Sequence, residues 1–366
     1  MSVPFFSFAQ MHADVDVAAS IQRVLDRDYF VLGPEVQAFE RAFAEYCGTE
    51  YCVGVANGTD ALELALRALE IQPGDRVAVV ANAGGYSATA LRAIGAVPAW
   101  VDVDERSLTM APGALENVLD AGVRAVVVTH LYGQLADIPA LKAATQAVGV
   151  PLVEDCAQSH GARLDDRRAG SFGEVGCFSF YPTKNLGAVG DGGAVVTRDE
   201  AVASRVRSLR QYGWSDKYHA EVGGGRNSRL DEVQAAVLLD KLPLLDDWSQ
   251  QRREIARRYT DGLRGLPVTL PASVAADFVA HLYVIRTTER ERLAQHLADA
   301  GVGTAVHYPV ADHRQPAFTT GDAATLPVTD DAAATVLTLP CYPGLEPADQ
   351  GRVIEAIVDF HAGGRH

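Results

Sequence analysis

The chain has 366 residues, of which 48% are hydrophobic and 22% charged, and these ordinary globular values exclude a disordered or fibrous protein. At roughly 150 residues per domain, this length predicts two domains. The formal net charge of −15 repels a phosphate backbone, so we expect no nucleic-acid partner.

The cysteines and the lengths of the apolar runs exclude further classes of protein. Five cysteines occur without a CxxC pair: Cys47, Cys52, Cys156, Cys177 and Cys341. They predict neither a disulfide framework nor a zinc site, so we expect buried, reduced thiols and no metal. No apolar run approaches the roughly 20 residues of a membrane span, and the first residues lack a basic segment typical of a signal peptide. We therefore expect a cytoplasmic protein without a membrane partner.

In chain order, the first predicted element is an amphipathic helix that begins near Pro34, because Val36, Phe39 and Phe43 recur at helical spacing. From about residue 51 to 197, short apolar runs alternate with helical stretches. The predicted strands are 51–55, 77–80, 99–103, 125–128, 152–154, 177–180 and 194–197. Such runs are typical of a sheet covered on both faces, so we predict an α/β fold with a mainly parallel mixed sheet flanked by helices.

The last third of the chain changes character. After predicted helices at 231–242 and 246–263 come a strand at 281–287, a helix at 289–300, a short strand near Thr304 and a final helix at 347–360. Residues 312–327 carry turn formers and are predicted as a surface loop. We place the domain boundary at the second helix: a large α/β domain, 1–245, and a smaller C-terminal α+β domain, 246–366.

Two residues at predicted strand ends carry the main chemical signal. Asp155 lies where the strand 152–154 ends, and Lys184 lies a few residues beyond the strand 177–180. Ligands in open α/β sheets collect at the carboxyl ends of strands. A pyridoxal phosphate site requires an amine to bond to the cofactor aldehyde and a carboxylate to keep the ring nitrogen protonated. The alternatives, which prevail for either residue taken singly, are a helix cap for Asp155 and a solvated loop lysine for Lys184, so phosphate donors are also needed.

Donors for a phosphate group occur at residues 57–59, between a predicted strand and a predicted helix, where free N–H groups and the helix dipole favour an anion. A plain helix cap is the alternative. Ser179 adds a hydroxyl. A dinucleotide fingerprint is excluded, because Val195 stands where the third glycine after Gly190 and Gly192 belongs, and no P-loop motif occurs.

Taken together, these motifs resemble those of the DegT-like sugar aminotransferases, pyridoxal-phosphate enzymes that aminate keto groups of nucleotide-linked sugars. The resemblance covers nearly the whole chain and rests on ordered motifs: LGPEV at 32–36, ANGTDAL at 56–62, VDVD at 101–104, HLYG at 130–133, VEDCAQSHG at 153–161, FSFYPTKNLGAVGDGG at 178–193, NSRLDE at 227–232 and HYP at 307–309. It implies the fold type I of PLP-dependent transferases, with a large domain and a smaller C-terminal domain.

The resemblance implies a role for each matching position. Lys184 matches the lysine that bonds to pyridoxal phosphate and moves protons, Asp155 the partner of the ring nitrogen, and Gln158, one helical turn further, the residue near the ring hydroxyl. Phosphate contacts are matched by three residues: Gly58, Thr59 and Ser179. Asn227 matches an asparagine that reaches the phosphate from the neighbouring subunit, which implies a homodimer with shared active sites.

Two departures from the family pattern mark the substrate side. Where many relatives have a His-Thr-Phe-like run, this chain has Gly84-Gly85-Tyr86, and Tyr86 is the candidate for the ring that stacks on the cofactor; ordinary core packing is the alternative. The second departure is Arg226, which stands where an apolar or aromatic residue often precedes the asparagine of relatives. Together with Lys217, His219 and Arg229 it supplies positive charge that suits a diphosphate or a glutamate carboxylate. A solvated loop is the alternative for them. Candidates that cover the sugar or the nucleotide are His307, Tyr308 and His313; a structural role is the alternative.

The predicted function is transfer of an amino group from L-glutamate to a nucleotide-linked keto sugar, with pyridoxamine phosphate as the intermediate cofactor form. The substrate favoured by the resemblance is a dTDP-3-keto-6-deoxyhexose, and amination at C4 of a dTDP- or UDP-4-keto-6-deoxyhexose is the alternative. Lys184 favours transamination, because related sugar dehydratases have histidine there. Another fold-type-I enzyme, such as a lyase or decarboxylase, or a regulatory protein that has kept the fold, stays open.

Overall fold

The computed structural model describes residues 2–11, 13–119, 122–319 and 324–363. The helices are α1 (Phe8–Met11), α2 (Val17–Leu25), α3 (Pro34–Cys47), α4 (Gly58–Ala68), α5 (Tyr86–Ile94), α6 (Pro112–Leu119), α7 (Ile138–Val148), α8 (Glu200–Leu209), α9 (Glu232–Lys241), α10 (Leu245–Leu263), α11 (Arg290–Asp299), α12 (Pro327–Thr335) and α13 (Pro347–Gly363). The strands are β1 (Tyr51–Val55), β2 (Arg76–Val80), β3 (Val97–Val101), β4 (Val123–Thr129), β5 (Leu152–Asp155), β6 (Arg163–Leu164), β7 (Arg167–Arg168), β8 (Val175–Ser179), β9 (Gly193–Thr197), β10 (Trp214–Asp216), β11 (His219–Ala220), β12 (Tyr283–Arg286) and β13 (Val336–Leu339).

A seven-stranded sheet in the order β1-β9-β8-β5-β4-β2-β3 forms the centre of the molecule. The five strands from β8 to β3 are parallel, whereas β9 runs antiparallel to both of its neighbours, β8 and β1. β1 therefore runs in the same direction as β8 and β5, and the carboxyl ends of these three strands lie at one edge. The predicted α/β fold with a mainly parallel mixed sheet is confirmed.

Both faces of the sheet are buried. Along β2, Val77 and Val79 belong to one hydrophobic core, and Ala78 and Val80 belong to another on the opposite face. This double burial explains the near-continuous apolar runs of the sequence, and each fully buried valine stabilises the fold by about 1.5–3 kcal/mol.

Helix α3 fixes the position of the strand that precedes Lys184. Pro34 opens this helix, and its Phe43 ring meets the rings of Phe178 and Phe180 edge-on, at 4.9 and 5.3 Å between centroids. The aromatic contacts hold the end of β8 against the core, so the loop that follows it starts from a rigid support.

A third core lies among α10, α11, α13 and the antiparallel pair β12 and β13. The N-terminal segment packs on this core: the N–H of Val3 donates to the carbonyl of Gly301 at 2.8 Å, and the N–H of Gly303 donates to the carbonyl of Val3 at 2.9 Å. The division of the chain at residues 245 and 246 stays a prediction.

Two local predictions are wrong. Residues 312–327 are not a simple surface loop, because Asp312 and His313 are buried in a short 3-10 helix, Asp312–Arg314, and α12 begins at Pro327; residues 320–323 lie outside the described part. Instead of the expected strand near Thr304, the described residues form two isolated bridges, Val302 with Val3 and Ala305 with Thr338. The local sequence of these two segments gives no indication of the contacts that they make with distant residues.

The thiol prediction is confirmed, because all five cysteines are buried and unpaired with one another. Among the described residues, no helix combines the length and apolar character that a bilayer crossing needs.

Candidate active site

The site lies where the carboxyl ends of β1, β8 and β5 meet. Residues 57–59 follow β1, Lys184 follows β8, and Asp155 is the last residue of β5. They border a cavity of about 580 Å³. Nine of the predicted site residues line it: Gly58, Thr59, Tyr86, Asp155, Gln158, Ser179, Lys184, His307 and Tyr308. Gly58, Asp155 and Lys184 are far apart in the sequence but share one cavity because β1, β5 and β8 end at the same edge of the sheet.

The first turn of α4 forms a cradle for an anion. The side chain of Asn57 caps the helix by accepting a hydrogen bond from the N–H of Asp60 at 2.8 Å. In the described part of the chain, the N–H groups of Gly58 and Thr59 have no acceptor, and they open on the cavity. A Cβ added at Gly58 would lie 2.6 Å from the Cβ of Ser179, so only glycine allows this approach. Free N–H groups, a helix dipole and a hydroxyl suit a phosphate.

Asp155 presents a buried carboxylate at the cavity wall. Its oxygens accept hydrogen bonds from the N–H of Ala157 at 3.1 Å and the hydroxyl of Thr129 at 3.3 Å. Burial raises the pKa of Asp155, and the Ala157 bond and the charge of Lys184 offset this only in part. A cationic group in contact with Asp155 would stabilise its charged form, which is what a protonated pyridine nitrogen provides.

Lys184 lines the same cavity and is half-buried. Desolvation lowers the pKa of its amine to about 8, although the charge of Asp155 acts in the opposite direction. A lysine with such a pKa has a substantial neutral fraction near neutral pH, and only the neutral amine attacks a carbonyl group. The donor set therefore fits pyridoxal phosphate, with the phosphate at α4, the ring nitrogen at Asp155 and the aldehyde at Lys184.

Glu154, the neighbour of Asp155, serves the fold. Its carboxylate accepts hydrogen bonds from the N–H groups of Gly170, Phe172 and Gly173 at 2.6–2.9 Å and lies 3.0 Å from Nε2 of His130. Glu154, His130 and Cys156 lie close enough together to hold a metal ion. Because the Glu154 oxygens and both His130 nitrogens are already engaged, we interpret this cluster as structural.

Gln158 joins two walls of the cavity. Its Oε1 accepts a hydrogen bond from the N–H of Tyr132 at 2.6 Å, and its Nε2 donates to the hydroxyl of Tyr308 at 3.1 Å. Residues 156–159 form turns, so the helical turn expected between Asp155 and Gln158 is wrong. Tyr86 is half exposed and meets the Tyr308 ring edge-on at 6.5 Å, so its face is available for stacking.

Six predicted site residues do not line this cavity: Lys217, His219, Arg226, Asn227, Arg229 and His313. Arg226 is held by two carboxylates of α4, those of Asp60 at 3.1 Å and Glu63. His313 is buried 3.2 Å from Asp330.

The other four of these residues lie near or on the β10–β11 hairpin. Lys217 and His219 are exposed, and the Lys217 amine lies 5.1 Å from the centre of the Tyr218 ring. Asn227 is exposed and pairs through its backbone with Gln211, whereas Arg229 has no polar partner among the described residues. Their roles stay predictions. For Asn227, the role that the resemblance implies lies in the site of a neighbouring subunit.

Several lining residues were missed. Tyr181 and Asp191 also line the cavity. Both lie within the motif 178–193, which could have indicated them. Phe5, Phe6 and His281 come from distant segments, and nothing in their local sequence marks them. His160, in contrast, packs against Phe178 and Phe180, as expected for a structural residue.

Known proteins of one family match this chain over nearly its full length. A sequence model of the DegT/DnrJ/EryC1/StrS aminotransferase family matches residues 12–358. The chain is 45% identical to a dTDP-3-amino-3,4,6-trideoxy-alpha-D-glucose transaminase of Streptomyces venezuelae, over 98% of this chain and 96% of the relative. It is 43% identical to the erythromycin biosynthesis sensory transduction protein EryC1 of Saccharopolyspora erythraea, over 98% and 99%. The crystal structure of S. venezuelae DesV aligns over 98% of each chain with a TM-score of 0.95 and 44% identity.

Proposed function

Because the chain belongs to the DegT/DnrJ/EryC1/StrS aminotransferase family, we propose that it transfers an amino group from L-glutamate to the C3 keto group of a dTDP-linked 3-keto-6-deoxyhexose. The coarser assignment is established: the protein is a PLP-dependent sugar transaminase of fold type I. The predicted family, enzyme class and cofactor are thereby confirmed. What we propose beyond this class is the identity of the sugar, of the nucleotide and of the carbon that is aminated.

One observation carries the chemical part of the proposal: Asp155, Lys184 and the anion cradle at α4 share one cavity. When bound, pyridoxal phosphate supplies an electron sink that stabilises negative charge at the substrate carbon. We assign Gly58, Thr59 and Ser179 to hold its phosphate, and Asp155 to keep the ring nitrogen protonated.

Lys184 then acts as the base of the reaction. Its amine, whose pKa is lowered to about 8, would take the α-proton of the amino donor and hold it for return to the product. The same steps run in reverse on the keto sugar. The second substrate binds only after the first product has left, so we expect ping-pong kinetics.

Amination at C3 is supported by the relative from S. venezuelae, whose name specifies a 3-amino sugar and which shares 45% of its residues with this chain. L-Glutamate as donor follows from the family resemblance. A homodimer with shared sites is supported by Asn227, which lies outside the cavity of its own chain while matching a phosphate contact.

The experiment is incubation of the purified holoenzyme with L-glutamate and either a dTDP-3-keto-6-deoxyhexose or a dTDP-4-keto-6-deoxyhexose, with products identified by mass spectrometry. We expect an amino sugar from the 3-keto substrate and none with Lys184→Ala. Lys142→Ala is the matched control, because Lys142 donates to the carbonyl of Phe172, away from the cavity. Amine formed only from the 4-keto sugar would overturn the C3 assignment.

A regulatory role is the second candidate, because EryC1, at 43% identity, is named a sensory transduction protein. The intact pair of Lys184 and Asp155 argues against regulation as the main role. The test is a Lys184→Ala strain in which the amino sugar made by the wild-type strain is measured. Unchanged formation of this amino sugar would favour a regulatory role, whereas its loss would favour the enzyme.

A further inference from the structure

The wall of the cavity contains a histidine to which the proposed reaction assigns no role. His281 precedes β12, is 7% exposed and lines the cavity next to apolar side chains of Leu282, Leu339 and Cys341. Arg252 stiffens this wall from behind, because its buried guanidinium donates to the carbonyls of Ala280, His281 and Cys341.

Asn185, the residue after Lys184, determines which nitrogen of His281 carries the proton. The Nδ2 group of Asn185 donates to the carbonyl of Val279 at 3.1 Å, so its Oδ1 is the atom that lies 3.1 Å from Nδ1 of His281. An amide oxygen only accepts, and therefore Nδ1 of His281 must be the N–H donor. In the neutral ring, Nε2 is then an acceptor with a free lone pair.

The ring is neutral under ordinary conditions. Burial, together with the charges of Lys184 and Arg252, lowers the pKa of His281 well below its usual value. Nε2 has no hydrogen-bond partner among the described residues. Nε2 is not one of the fully enclosed polar atoms that lack a partner, so it is open to the cavity that His281 lines. A ligand that donates a hydrogen bond can therefore reach this free acceptor.

We propose that Nε2 of His281 accepts a hydrogen bond from a ring hydroxyl of the keto sugar, which makes His281 a specificity-determining residue and Asn185 its positioning residue. This inference rests on the proposed function. A lone pair repels the oxygens of phosphate and carboxylate groups, so neither the diphosphate nor the glutamate carboxylates suit this position. A sugar hydroxyl donates readily and also tolerates the neighbouring apolar wall.

The test compares His281→Phe, which removes the acceptor, with His281→Gln, which keeps one. His296→Phe is the matched control, because His296 lies on α11 outside the cavity. We expect kcat/KM for the keto sugar to fall about 10- to 100-fold in His281→Phe and to recover partly in His281→Gln. The glutamate half-reaction, followed by cofactor absorbance without any sugar, should stay within about twofold, since the acceptor contacts only the sugar.

Deoxy analogues that lack one ring hydroxyl give the second measurement. The wild type should discriminate against the analogue that lacks the contacting hydroxyl, and His281→Phe should accept both sugars equally, because the two changes remove the same hydrogen bond. Additive losses would overturn the inference. So would a His281→Phe variant with unchanged sugar kinetics.

The amine of Lys184 is the competing donor to Nε2. If it were the partner, His281→Phe would slow the glutamate half-reaction and shift the pH titration of the cofactor absorbance, and either result would overturn the sugar contact. A wild-type holoenzyme that fails to react with glutamate would instead contradict the proposed amino donor. The proposed amino donor is therefore tested by the reaction of the wild type with glutamate, and the sugar contact by the kinetics of His281→Phe.

Discussion

The adjacent carboxylates of Glu154 and Asp155 have opposite surroundings: Glu154 accepts hydrogen bonds from three backbone N–H groups inside the protein, whereas Asp155 lines the cavity. Successive side chains on a strand point in opposite directions, which explains how one short strand supplies both. Glu154 holds a loop, and Asp155 is the proposed partner of the cofactor ring nitrogen. Substitution of Glu154 should therefore reduce stability, whereas substitution of Asp155 should reduce activity.

Glu154→Gln should destabilise the protein. An amide keeps the size of the side chain but loses the charge that pairs with the N–H groups and His130, and removing one partner of such a buried network costs about 3 kcal/mol. The free energy of unfolding, measured with urea, should fall by that amount. Glu105→Gln, on the surface, is the control and should change it little. An unchanged unfolding midpoint for Glu154→Gln would contradict a structural role.

The same carboxylate predicts acid sensitivity. Although burial acts to raise it, the hydrogen bonds from His130, Gly173 and Gly170 hold the pKa of Glu154 below its ordinary value of 4.5. A lowered pKa in the folded state contributes stability above pH 4.5, and this stability is lost as the pH falls through the folded pKa. Glu154→Gln should therefore flatten the fall in unfolding free energy between about pH 5 and pH 3.

Asp155→Asn should leave the fold intact and slow catalysis. The amide retains hydrogen bonding with Ala157 but no longer provides the negative charge that we propose keeps the cofactor nitrogen protonated. We expect the rate of the glutamate half-reaction to fall by about 10²- to 10⁴-fold, with a melting temperature close to that of the wild type. A variant that keeps the wild-type rate would show that the ring nitrogen has another partner.

Lys184 predicts a pH dependence for attachment of the cofactor. Its pKa is lowered to about 8, and the neutral amine is the reactive form. The rate at which apoenzyme binds pyridoxal phosphate covalently, followed by absorbance, should rise about tenfold from pH 6 to pH 7 and level off above about pH 8. A rise that continues to pH 10 would indicate a lysine with its ordinary pKa.

The shared-site dimer predicts complementation between two inactive variants. We expect Lys184→Ala and Asn227→Ala each to lose most activity, because each proposed site takes Lys184 from one subunit and Asn227 from the other. Refolding or co-expressing them together forms mixed dimers, each with one intact site, and should restore about a quarter of the wild-type activity. The same mixture would stay inactive if both residues acted within one subunit. Mixing Lys184→Ala with Asp155→Ala is the control, since these two line the same cavity and should not complement.

Much of the fold was predictable, because its signals are local. Apolar runs indicated the strands of the sheet, and Pro34 with the phenylalanines that follow it indicated α3. Residues 312–327 were missed because their turn-forming composition gives no sign that Asp312 and His313 are buried by contacts with distant segments.

By itself, the sequence determined the sheet, the family and the three groups that suit pyridoxal phosphate, since strand ends and motifs are read from neighbouring residues. Tertiary structure alone decided that Glu154 braces the fold while Asp155 faces the cavity, that Arg226 is held by Glu63, and that Asn185 orients His281. The physical reason is that a side chain takes its role from the partner it meets. These partners lie between 16 and 163 positions away along the chain, and only the folded packing brings them together.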